Sequence, residues 1–303
     1  MTEQFGRGAR MPTIDIIELS KYTIKFILKD CHISVANALR RTMIADVPTL
    51  AIDIVYVNEN TSVLHDEFLC QRLGLIPFES SNIDKYEFFR ECSCKPSCHK
   101  CSIEFNLRET SVDGTMDVTT EHINSNSNSP VWPVVYTNSE GTEDEDHILL
   151  VKLAKNQKVD VQCIVRKGTG KEHAKWSPVC TVAMKQIPKI ALDETDMKSL
   201  TSDQKKQIVQ SCPTNVYRYN AETDNVDIEN LGEWMQCLEC VEVVKEIDKE
   251  NAIKVDLRDD QFMFEVESTG ALPPETIVSK AMEILMKKFF TLEQAVENAL
   301  NIS

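Results

Sequence analysis

Residues 91–102 read ECSCKPSCHKCS, with four cysteines inside ten positions, and no other stretch constrains the fold as tightly. No hydrophobic side chain lies between those cysteines, so burial of apolar surface cannot hold the loop. Cys92, Cys94, Cys98 and Cys101 instead offer four thiolates, which satisfy tetrahedral Zn²⁺ and leave no open position. Catalytic zinc keeps a position for water and typically uses His or Glu, so the spacing predicts one structural zinc. Pro96 fits a segment held by metal in place of a core, and His99 is the alternative fourth ligand. A thioredoxin-like reading needs C-x-x-C opening a helix. Here Cys101 is followed by the strand-like SIEFNL.

Eleven cysteines follow an N-terminal stretch, MTEQFGRGARMPTID, that lacks the apolar segment of a secretory signal. Reduced or metal-bound thiols are therefore expected rather than a disulfide framework. The 303 residues are 42% hydrophobic, enough for a real core in one large domain or two ordinary ones. No apolar run approaches the length of a membrane span. The formal net charge of −15, with no basic stretch to offset it, disfavours direct binding to a phosphate backbone.

TIDIIEL (13–19) and YTIKFIL (22–28) read as strands, with Ile24, Phe26 and Leu28 on one face of the second. A helix follows over 31–48, with Ser34 as N-cap, Val35, Leu39 and Met43 at helical spacing, and Pro48 ending it. LAIDIVYV (50–57) reads as a strand buried on both faces. NSNSNSP (124–130) and SEGTEDED (139–146) read as surface loops. VWPVVY, ILLVKL and VDVQCIV read as further strands, and residues 190–250 as helical and acidic. QFMFEVES (261–268) places Phe262, Phe264 and Val266 on one face. PPETIVSKAMEILMKKFFTLEQAVENAL (273–300) predicts a long amphipathic helix. Its seam, Ile277, Ala281, Leu285, Phe289, Leu292, Val296 and Ala299, approaches a heptad and fits either a partner helix or the chain's own sheet.

ISVANALRRTMIADVPTLAIDIV resembles the α-like subunits of cellular RNA polymerases, whose first helix carries N-A-L-R-R before a V-P-T strand. TSVLHDEFLCQRLGLIPFES (61–80) is similar to the eukaryotic and archaeal members, with Gln71 where those relatives usually carry His. RKGTGKEHAKWSP (166–178) and FEVESTGALPPE (264–275) extend the resemblance over nearly the whole chain. The spacing C-x-C-x3-C-x2-C resembles the zinc loop of the third-largest subunit of RNA polymerase II, which the counterpart shared by polymerases I and III generally lacks. STGALPPETIVSKAMEILM looks somewhat like that shared counterpart; the cysteine cluster and the short N-terminus favour the polymerase II type.

The resemblance implies a scaffold. In the family the first helix, here with Asn37, Leu39, Arg40 and Arg41, pairs with a smaller α-like subunit together with the C-terminal helix, here with Ile277, Ala281, Leu285, Phe289 and Leu292. It also implies that the loop with Lys171, Glu172, His173, Lys175 and Trp176 contacts the second-largest subunit; those cations and the large ring suit an interface hot spot. Read alone, KGTGKEHAK (167–175) is an exposed loop and fails as a P-loop, because its glycines are two apart and Glu172 follows Lys171. Archaeal relatives can carry an iron–sulfur cluster near the positions of Cys212, Cys237 and Cys240. These three lack a ferredoxin-type run and read as buried thiols.

Polymerase chemistry needs clustered aspartates holding Mg²⁺. Glu143–Asp146 and Asp259–Asp260 fall in a loop and at a strand entrance and read as solvated, so no active site is expected. The expected fold is α+β: a discontinuous dimerisation domain (1–48 plus 173–303) with an inserted, mostly-β domain (49–172) carrying the zinc loop at 92–101. The expected function is assembly of nuclear RNA polymerase II. The alternatives are the subunit shared by polymerases I and III, or a free-standing zinc-binding transcription regulator.

Overall fold

The structure, a computed structural model, describes residues 11–94, 97–125, 129–137 and 145–301. Pro96, Glu143, Asp144 and most of the two predicted surface loops lie outside the described residues. Strands β1 (Thr13–Leu19) and β2 (Thr23–Lys29) lead into α1 (Ile33–Ala45), β3 (Pro48–Asn60) and α2 (Asp66–Gly74). After the cysteine loop come β4 (Ser102–Thr110), β5 (Met116–Thr119), β6 (Ile123–Ser125), β7 (Tyr136–Thr137), β8 (Glu145–Asp146), β9 (Leu149–Leu153) and β10 (Lys158–Thr169). Then follow β11 (Val179–Leu192), α3 (Glu194–Ser199), α4 (Ser202–Ser211), β12 (Tyr217–Asn220), β13 (Asn225–Ile228), α5 (Glu239–Glu246), β14 (Ile253–Ser268) and α6 (Pro274–Asn301). This is a mixed α+β fold.

The chain divides into two compact, discontinuous units. One takes in residues 11–18, 25–37 and 183–265, the other 19–24, 38–182 and 266–301. In the first, β1, β2, β14 and β11 form a sheet in that order. Alternation puts Phe26 and Leu28, and Phe262 and Phe264, on its buried face. The Phe26 and Phe264 rings stack at 5.0 Å. The edge strand β1 is exposed along its whole length. A second core forms where α3, α4, β12, β13 and α5 enclose Ile208, Val216, Tyr217, Trp234 and Val244.

The hairpin of β12 and β13 departs from the helical reading of 190–250. Asp224 takes the left-handed conformation (φ 47°) that Asp tolerates better than most residues, and this turns the chain. Its carboxylate accepts from Lys205 Nζ and Ser202 Oγ (each 2.8 Å) and from Tyr219 Oη (2.7 Å). Those bonds, Lys205 foremost, hold its pKa down at about 2.

In the second unit, β3, β10, β4 and β6 form an antiparallel sheet, with Val161 of β10 between Val57 and Leu107. Leu50, Ile52, Leu69, Leu73, Phe78, Phe105 and Val165 fill its core. β3 is buried on both faces only over 49–52; beyond Ile52 one face opens and Tyr56 is 54% exposed. VWPVVY is largely irregular, with a single bridge between Pro133 and Phe78 before β7, since Pro has no amide to donate to a ladder. α1 begins one residue before Ser34, whose amide donates to His32 Nδ1 (3.2 Å).

Candidate metal centre and assembly surfaces

The four sulfurs of Cys92, Cys94, Cys98 and Cys101 all lie within 4.8 Å of one another. Cys94–Cys101 is 3.4 Å, Cys92–Cys98 3.6 Å and Cys98–Cys101 3.9 Å. Sulfurs bound tetrahedrally at the usual zinc distance stand about 3.8 Å apart, so the donor set fits that ion in number, type and spacing. The backbone prepares this arrangement. The amides of Cys101 and Ser102 both donate to Cys98 O (3.1 and 3.0 Å), closing a tight turn, and β4 continues directly from it. On the other side Cys92 N donates to Phe88 O (3.1 Å), and Glu87 N reaches Lys100 O (2.9 Å) to close the loop's neck. Cys101 is buried and the other three are half-buried.

The backbone amide of Lys100 stabilises the Cys98 thiolate and brings its pKa down to about 7. Cys94 moves the other way, because Cys92 and Cys101 beside it favour the neutral thiol. Thiols this close disfavour one another's ionisation; a bound cation would supply the missing stabilisation and displace their protons. His99 is exposed and outside the set. Among the described residues this is the one cysteine, histidine and carboxylate group arranged to hold a metal. Cys212, Cys237 and Cys240 do not form such a group: Cys240 is buried against Tyr217 Oη (3.3 Å), and Cys212 Sγ accepts from Val216 N (3.3 Å).

α6 divides along its seam. Ile277 and Ala281 are fully buried and Leu285 half-buried, whereas Phe289, Leu292 and Val296 are 51–65% exposed and Ala299 is exposed too. Met286 and Phe290 flank that bare half, also largely exposed. Lys280 ties α6 to Asp84 and Lys288 ties it to Asp46 (2.7 and 2.8 Å), so the helix is fixed while its apolar end stays uncovered. On α1, Leu39 is buried, Asn37 and Arg40 half-buried and Arg41 exposed.

In the 167–176 loop, Lys171, Glu172 and His173 are exposed, but Trp176 is buried and donates through Nε1 to Arg166 O (3.1 Å). Lys175 is half-buried; its Nζ lies 4.3 Å over the Trp176 ring and donates to Ile52 O (2.9 Å) and Asp53 (3.2 Å). The glycines that evoke a phosphate loop serve packing. A Cβ on Gly168 would overlap the Trp176 ring, and one on Gly170 would overlap Ile44 O. Sequence reasoning passed over Phe88, Phe89 and Arg90, although paired aromatics beside a cation just before a cysteine cluster were a readable signal.

Residues 25–289 match the family described as the RNA polymerase Rpb3/Rpb11 dimerisation domain. The chain is 41% identical to the DNA-directed RNA polymerase II subunit rpb3 of Dictyostelium discoideum, over 97% of each chain. It is 34% identical to the polymerase II subunit RPB3 of Schizosaccharomyces pombe, over 92% of this chain and 85% of that one. Against the Dictyostelium subunit of polymerases I and III, rpac1, identity is 32% over 95% of this chain and 83% of that one. Within that one organism the chain thus stands nearer the polymerase II protein than its sister. The chain belongs to the Rpb3/Rpb11 dimerisation-domain family of RNA polymerase subunits, on its polymerase II, third-largest-subunit branch.

Proposed function

We propose that the chain is a non-catalytic scaffold of nuclear RNA polymerase II that pairs with a smaller α-like subunit and docks the second-largest subunit. The observation that carries the pairing is the exposed half of α6: Phe289, Leu292 and Val296 face solvent on a helix long enough to lie along a partner. Large apolar side chains in a row cost solvation free energy until something covers them. The dimerisation domain, in this reading, is 1–48 plus 173–303, with 49–172 inserted and bearing the loop. Cys92, Cys94, Cys98 and Cys101 hold one structural zinc, whose chemistry is to neutralise four thiolates and cross-link the loop. Lys171 and His173 supply the exposed part of the second-largest-subunit contact; Lys175, Glu172 and Trp176 hold that loop in shape. Direct nucleic-acid binding is weak, because the acidic surface repels phosphate.

Co-expression with the smaller α-like subunit tests the pairing. A stoichiometric complex with the amides of 285–300 protected on pairing supports it. A monodisperse chain whose 285–300 amides are already protected in isolation contradicts it.

A further inference from the structure

The metal loop and the 169–176 loop, far apart in sequence, are joined twice. The first junction is an ion pair between Arg90 and Glu172. Arg90 sits two residues before Cys92, in the turn where the Glu91 and Cys92 amides donate to Phe88 O (2.9 and 3.1 Å). Glu172 in turn shapes the other loop, its carboxylate accepting from Thr169 N (3.1 Å) while its own amide donates to Thr169 O (2.9 Å). An exposed ion pair alone contributes little.

The second junction is less exposed. The Arg166 guanidinium lies 3.8 Å over the Phe89 ring and pairs with Asp53 (3.2 Å), with its side chain only 11% exposed. Asp53 also holds Lys175, and Arg166 O accepts from Trp176, so the same arginine touches both loops. Next to it, Lys167 Nζ donates to Ile83 O (3.2 Å) and Tyr86 O (2.9 Å) and lies 5.0 Å over Phe88. The end of β10 therefore grips the approach to the cysteines on one side and the 169–176 loop on the other.

We infer that Phe89 and Arg90 are positioning residues through which the geometry of the metal loop sets the shape of the 169–176 loop. Metal occupancy and the presentation of Lys171 and His173 are then linked, and linkage is reciprocal. The importance of that presentation rests on the docking role proposed above; the linkage itself does not.

Hydrogen exchange on the full chain, zinc-loaded and after zinc removal with a chelator, tests it. Removal is expected to speed exchange in 88–102 and also, roughly five-fold or more, at the amides of Lys171, Glu172 and His173. In the F89A/R90A double variant, removal should affect 88–102 alone, and reverting to Phe89 with Lys at position 90 should restore part of the response at 169–176. Wild-type exchange at 169–176 that ignores zinc removal overturns the inference, as does a double variant that keeps the full response. Capture of the second-largest subunit, measured separately, reports on docking. If capture ignores zinc while exchange at 169–176 follows it, the docking role falls and the positioning role stands.

Discussion

Four sulfurs within 4.8 Å of one another form a donor set that suits a tetrahedral cation, which would let the thiols ionise together. Metal analysis of the purified chain should find about one zinc per chain, falling to near zero in Cys94→Ala, with pairing to the smaller α-like subunit retained. Loss of pairing in that variant would place the loop at the dimer interface. A second residue-scale test uses Asp224. Its folded-state pKa lies below the ordinary carboxylate value, so its stabilising bonds are fully present above about pH 4 and fade as pH falls towards 2. The acid limb of unfolding for the 193–252 region should therefore be steeper in the wild type than in Asp224→Asn, which is less stable at neutral pH because Lys205 loses its carboxylate. Equal acid limbs would remove this role from Asp224.

At the scale of elements, what was legible followed from period. Ile24, Phe26, Leu28, Phe262, Phe264 and Val266 alternate without interruption, and all six are buried. Phe264→Ala should cost about 3–5 kcal/mol in denaturant unfolding, since the cavity beneath Phe26 cannot close. The β12–β13 hairpin was not legible: its strands are four residues each, too short for a pattern, and its turn depends on one side chain, Asp224, collecting two donors from α4 and one from Tyr219 of β12. Nor does spacing reveal that Trp176 turns inward, because the space it occupies is made by Gly168 of β10. The cysteine spacing picked out the four thiols that the fold brings together; Phe88, Phe89 and Arg90 were readable beside them, but their partners Arg166, Lys167 and Glu172 lie far off in sequence, beyond any local motif. On α6 the seam was legible but its division was not, since pattern alone does not say where the chain's own core ends. Two substitutions separate the halves. Ile277→Ala should destabilise the isolated chain by about 2–5 kcal/mol. Phe289→Asp should leave its stability within about 0.5 kcal/mol yet weaken pairing by about 2 kcal/mol or more, roughly thirty-fold.

For the whole molecule, one of the two discontinuous units carries the four-cysteine loop, a shaped surface loop and a helix with an exposed apolar end. In the proposed reading each serves an assembly: the loop as a clip, the 169–176 segment as a contact and the exposed end of α6 as a face for a partner. The identity gap between the polymerase II relative and its polymerase I and III sister in one organism points the assembly toward polymerase II. Affinity purification of the tagged chain from nuclear extract, with identification of the co-purifying proteins, tests that account most directly. The expected result is the smaller α-like subunit together with the two largest polymerase II subunits; recovery of the largest subunits of polymerases I and III in their place, or of no polymerase subunit, would contradict it.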